Sequence, residues 1–244
     1  MSISSQNIAP MIGAASTTHS YNTNRFWERL WRTSGAHAVL FLLIAYVIYG
    51  FQPQLGAPRD TLLVFYGTHH VRILTAAVIS GLAALNLMWF GAALRSALAD
   101  AGRDGWGAAA TSSSAALGAV IFLVAMLYAT LAYTTGPSGS ELSISGFHQL
   151  AWVGLVLSSY PRAMLIMAGT FGLWRAGLIS NRLFSAGLAA VVLVLVGGTA
   201  WMNSGFWAPD GTYSRFISPA ISVLWVLAAS RILLKQAEGT RAQW

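Results

Sequence analysis

Residues 188–197 read Leu188-Ala189-Ala190-Val191-Val192-Leu193-Val194-Leu195-Val196-Gly197, a run with no charged or amide side chain. A strand of a membrane barrel alternates apolar and polar residues over about ten positions. This run does not alternate, so it reads as a helix solvated by hydrocarbon or by other helices. Its neighbours extend it to 183–203, about the 20 apolar residues that a helix needs to cross a bilayer core. Five further stretches are of the same kind, at 35–51, 71–94, 107–133, 147–174 and 217–234. The predicted fold class is therefore all-α, a polytopic transmembrane helical bundle of six spans.

Composition agrees with this. The chain has 244 residues, 56% of them apolar and 9% charged, against about 25% charged in an ordinary soluble domain. The absence of cysteine removes disulfide frameworks, thiolate metal sites, iron–sulfur ligation and cysteine nucleophiles. The net charge of +7 is not gathered into a stripe. Basic residues sit at the ends of apolar runs, where they orient helices and meet anionic head groups. Membrane lipids, and other membrane subunits, are thus the expected partners; nucleic acid is not.

Charge asymmetry predicts the orientation. Arg25, Arg29, Arg32, Arg95, Arg103, Arg175, Arg182, Arg231, Lys235 and Arg241 fall on one side of a six-span topology, and Arg59, Arg72 and Arg215 on the other. Positive charge gathers in the cytoplasm, so both termini are expected there. Residues 1–22 read as a polar, loosely ordered arm. Residues 23–33 read as an interfacial amphipathic helix with Phe26, Trp27, Leu30 and Trp31 on one face. Residues 34–235 form the transmembrane domain and 236–244 a cytoplasmic tail.

Small residues recur at helical spacing: Gly81, Ala84, Gly91 and Ala92 in the second span, and Gly107, Ala110, Ser114 and Gly118 in the third. They predict close helix packing. Gly67-Thr68-His69-His70, Gly146-Phe147-His148-Gln149 and Gly211-Thr212-Tyr213-Ser214 each precede a span that runs inward, which suggests a shared turn.

The segment Phe206-Trp207-Ala208-Pro209-Asp210-Gly211-Thr212-Tyr213-Ser214, followed by Trp225-Val226-Leu227-Ala228-Ala229-Ser230-Arg231, resembles a group of small six-helix bacterial integral membrane proteins. The likeness is best in the C-terminal third. It implies a bacterial plasma (inner) membrane and six helices, and no activity or site residues.

Arg162 is the most informative single residue. It lies within the fourth span, in Ser158-Ser159-Tyr160-Pro161-Arg162. A charge at mid-membrane faces a cavity or a partner, and Pro161 cannot donate its backbone bond. The pair describes a broken helix with a cation at the break. No acidic residue stands at matching depth, so Asn86, Asn203, backbone carbonyls, water or an anionic ligand would face it. The competing reading starts the span at Tyr160 and lets Arg162 snorkel outward. Arg72, near the start of the second span, could join an outer anion site with Arg215 or likewise snorkel. Trp89, Trp152 and Trp225 lie deep and serve as core or as pocket lining.

His69, His70 and His148 occupy the outer mouths of two spans and are the candidate metal or haem ligands. Their spacing is no motif, because adjacent helical residues point about 100° apart. No cofactor is otherwise expected. No phosphate loop, nucleophile elbow or His-Glu-x-x-His is present, so nothing assigns an enzymatic activity.

Three readings follow. The first is a non-catalytic bundle that binds a lipid- or quinone-like molecule or serves as accessory subunit of a membrane complex, with Arg162, Tyr160, Arg72, Trp152 and Asn86 as ligand-binding residues. The second is a small transporter or channel with Arg162 at a broken helix. The third is a membrane redox or metal enzyme using the outer histidines.

Overall fold

The computed structural model describes residues 30–135 and 144–239. The polar arm, most of the interfacial segment, Glu141 and the end of the tail lie outside the described residues. Among the described residues the helices with both ends described are, in order, α1 (Ser34–Tyr49), α2 (Arg59–Thr68), α3 (His70–Asp100), α4 (Asp104–Thr134), α5 (Ile144–Leu157), α6 (Ser159–Arg175), α7 (Asn181–Gly197) and α8 (Ser218–Gly239). A π-helical turn, Tyr213–Ile217, leads into α8.

Four helical segments are long and apolar enough to cross a membrane: α3, α4, the joined α5–α6 and the π-turn with α8. α1 and α7 are apolar but shorter. The fold is an all-α polytopic membrane bundle. Its outer face confirms the solvent: Val47, Val78, Leu85, Trp89, Met126 and Leu224 are each at least half exposed. A monomer in water rarely shows so large an apolar surface. Trp89, expected deep, points outward at 53% exposure.

α3 and α4 form the central hairpin. α1 packs on α3 and α8, α6 on α4 and α7, and α7 on α8. Small residues set the hairpin's closeness. A Cβ on Gly91 would stand 2.5 Å from Ser114 Cβ, and one on Gly107 2.9 Å from Arg95 Cα. At that approach Ser114 donates to the Leu87 carbonyl and Thr111 donates to the Gly91 carbonyl at 3.1 Å.

The connections gather at two ends. At one, α3 and α6 each end with a left-handed glycine, Gly102 (φ 70°) and Gly177 (φ 72°). In each turn the next residue bonds back across it, Arg103 N to Leu98 O and Leu178 N to Leu173 O, the pattern that stops a helix at glycine. Arg103 Nε donates to the Arg175 carbonyl, and Arg32 Nη1 to the Leu233 carbonyl. This is the basic end. At the opposite end, Leu55 N donates to Asp210 Oδ2 at 2.9 Å, tying residues 50–58 to 198–212.

The expected shared glycine turn is not found. Gly67 lies within α2 and Gly146 within α5, and among the described residues the left-handed glycines are Gly50, Gly56, Gly102, Gly177 and Gly205. The first long connection is not extended chain; its second half is α2, with Leu62 and Tyr66 buried.

Candidate functional site

The 32-residue segment Ile144–Arg175 is bent where α5 meets α6. Ser158 keeps helical torsions (φ −59°, ψ −16°), but Pro161 has no N–H to offer the carbonyl four residues earlier. Arg162 folds back on this weakened turn. Its Nε donates to the Ser158 carbonyl at 3.2 Å and its Nη2 to Ser159 Oγ at 2.9 Å. The residue is 8% exposed, and among the described residues no carboxylate pairs with it.

The rest of α6 packs on α3: a Cβ on Gly169 would meet Leu94, and one on Gly172 would meet Leu98. The guanidinium is buried and reaches back toward the start of α6.

Two more helices reach the break. A Cβ on Gly197 would stand 2.8 Å from Ser218 Oγ and 3.2 Å from Ser159 Oγ. Only glycine lets the end of α7 close on both hydroxyls. Ser218 Oγ is buried without a hydrogen-bond partner, and Ser222, one turn along α8, donates to the Ser218 carbonyl. Hydroxyls and a cation thus meet where α6, α7 and α8 converge.

Of the other candidate residues, Tyr160 is 49% exposed, its ring beside Gly198. Asn86 donates to the Leu82 carbonyl of its own helix and does not bond Arg162. Trp225 lines an apolar crevice of about 420 Å³ between α6, α7 and α8, with Leu183, Gly187 and Ile221, and with Arg231 at its rim. Its indole N–H donates to Thr170 Oγ1 at 3.0 Å.

A second polar group lies at the end opposite the basic one. His148 and Trp152, both 1% exposed, are one turn apart on α5. Trp152 Nε1 donates to His148 Nε2 at 3.2 Å, and His148 Nδ1 is 2.8 Å from the Tyr66 hydroxyl. An indole nitrogen only donates. His148 Nε2 also lies 3.2 Å from the Gln54 carbonyl, so the ring's tautomer decides whether Nε2 accepts from Trp152 or donates to Gln54, and Nδ1 takes the complementary role toward Tyr66. Burial pushes the Tyr66 hydroxyl above the usual tyrosine range. Arg215 lies over Trp152 at 5.7 Å and over Phe51 at 5.1 Å. Arg72 is half-buried beside Gly50.

The three candidate metal ligands are differently engaged. His69 Nδ1 faces the Phe65 carbonyl and Thr68 Oγ1, and His70 Nδ1 the Gly67 carbonyl. Both bond locally, while His148 is held by Tyr66 and Trp152. Among the described residues no group of three histidines and carboxylates could hold a metal ion.

Sequence reading singles out Arg162, Arg72, Arg215, Trp152 and His148, and sets Tyr66 near Arg72. It does not single out Tyr49, Gln52 or Tyr128, which come from α1, the first connection and α4. Nothing in their local spacing marks them. Comparison with known families, curated proteins and solved structures returned no match.

Proposed function

We propose that this protein is a small multi-pass carrier or channel for an anionic solute, with the bend in Ile144–Arg175 on its pathway. The observation that carries the reading is a buried guanidinium, within a helix long enough to span a membrane, whose bonds go to one backbone carbonyl and one serine of its own bent turn. A buried cation in such a helix is costly, and a helix break that lines a cavity is how transporters place backbone and charge against a solute. The lone Ser218 hydroxyl adds a polar group from α8.

In this reading α1, α3, α4, α5–α6, α7 and α8 make six passes. Arg32, Arg95, Arg103, Arg175 and Arg231 lie at one end, which the charge rule places in the cytoplasm with both termini. A bacterial plasma membrane is the setting that the C-terminal resemblance implies. The apolar crevice below the break favours a second reading, in which a lipid-like chain lies against Trp225 and Gly187 with its head group near Arg231.

The test is efflux of chloride, acetate and phosphate from proteoliposomes. Arg162→Ala is expected to abolish the flux of whichever anion moves, and Arg162→Lys to keep part of it. Flux in Arg162→Ala equal to the parent protein, or no anion moving faster than from empty liposomes, rejects the proposal.

A further inference from the structure

The polar group at the end opposite the basic one has more hydrogen-bond donors than the protein satisfies. Arg215 Nε and Nη2 and Arg72 Nε are buried without a partner. The buried hydroxyls of Tyr49 and Tyr128 face Tyr66 and Gln52.

These atoms belong to one place. The rings of Tyr49 and Tyr128 are 4.8 Å apart. Gln52 faces the Tyr128 hydroxyl, and Arg215 lies within its electrostatic reach. Arg72 acts in the same way on Tyr49, and its guanidinium is 3.6 Å from where a Gly50 Cβ would stand. Residues 49–52 therefore run between two arginines. The nearby acid, Asp210, has Oδ2 committed to Leu55 N.

Buried donors without partners are expensive, more so when charged. Water could satisfy single donors, but Asp210 brings one negative charge against two guanidiniums. What the group lacks is negative charge and acceptor lone pairs together. A carboxylate supplies about four acceptor sites, and arginine matches carboxylates and phosphates with two parallel bonds. The π-helical turn that carries Arg215 is a local irregularity of the kind that recurs at functional sites.

We infer that Arg215, Arg72, Tyr128 and Gln52 form a binding site for an oxyanion, a carboxylate or a phosphate, at the end of the bundle that carries the Asp210 connection. The site does not depend on the transport reading, since it stands without any path through Arg162. The same chemistry comes from a free anion or from a lipid head group.

The experiment uses the full chain, first in lipid-free detergent. Thermal denaturation is followed while sodium acetate or inorganic phosphate is added against sodium chloride of equal ionic strength. A second arm measures retention of phosphatidylglycerol against phosphatidylcholine by native mass spectrometry. A saturable rise in Tm with acetate or phosphate assigns the site to a free anion. Selective retention of phosphatidylglycerol alone assigns it to a head group. Whichever probe binds, Arg215→Gln is expected to weaken it at least tenfold and Arg72→Gln several-fold, while Arg95→Gln, at the basic end, leaves it unchanged. If Arg215→Gln does not fold, Arg72→Gln and Gln52→Leu carry the test. No saturable binding of acetate, phosphate or phosphatidylglycerol overturns the inference, and so does binding that all the folded site variants retain in full.

Discussion

Replacing Arg162 by methionine separates a structural brace from a functional cation. Methionine fills nearly the same length without charge. An arginine at the centre of a membrane helix costs about 2.5–3.5 kcal/mol on insertion scales. Here two hydrogen bonds offset that cost; bonds to charged groups contribute about 1.5–3 kcal/mol each, net of desolvation. Methionine removes both the cost and the bonds. It leaves no new orphan at Ser158, whose carbonyl keeps the Arg162 backbone N–H at 3.1 Å, and Ser159 can turn its hydroxyl to its own helix. Apolar replacement of buried charge is often neutral or stabilising. Arg162→Met is therefore expected to stay within about 2 kcal/mol of the parent in stability, because the relieved burial cost and the lost bonds largely cancel, while anion flux is lost. Reversible unfolding in mixed micelles measures the first, proteoliposome efflux the second. A loss of stability beyond about 2 kcal/mol, the size expected when a structural bond network is cut, would refute the reasoning and make Arg162 a brace.

Three further outcomes are expected. Gly91→Ala pushes a methyl to 2.5 Å from Ser114 Cβ and should destabilise the chain by about 1–3 kcal/mol through overpacking; wild-type unfolding midpoints would contradict the close hairpin. Tyr66→Phe leaves His148 Nδ1 without its partner and should cost about 1–3 kcal/mol; a change under half a kcal/mol would mean that the bond is not made in solution. The raised ionisation of Tyr66 has a definite sign. An acid whose folded value lies above its unfolded one stabilises the fold below the unfolded value, about 10 for tyrosine, and that contribution fades as pH climbs beyond it. The parent should lose stability faster than Tyr66→Phe above that pH; parallel curves in a pH series of unfolding would oppose this.

The long helices were legible because hydrocarbon demands uninterrupted apolar runs, and 71–94 and 107–133 need only a few more residues at each end to become α3 and α4. The bend at Ser158–Arg162 was legible too, since Pro161 removes a bond and Arg162 cannot be ordinary lipid-facing surface. Two features were not. Trp89 was placed inside because hydrophobicity cannot tell core from lipid face when the solvent is itself apolar. The Tyr49–Gln52–Tyr128 group was invisible because its members come from three elements and meet only when α2 and the π-helical turn fold over the bundle's end. The setting of His148 was not legible for the same reason: its ring meets Tyr66, 82 residues away.

The central claim, that the break at Arg162 opens to water and solute, is tested most directly by thiol labelling. The chain contains no cysteine, so single substitutions need no altered background. Ser159→Cys, beside the guanidinium, is compared with Leu165→Cys in the core (1% exposed) and Leu85→Cys on the lipid face (50% exposed). A charged, membrane-impermeant methanethiosulfonate is added to reconstituted protein. The account predicts that Ser159→Cys reacts while the other two stay unmodified. A Ser159→Cys as inert as Leu165→Cys would mean that the break is sealed, and would contradict the claim.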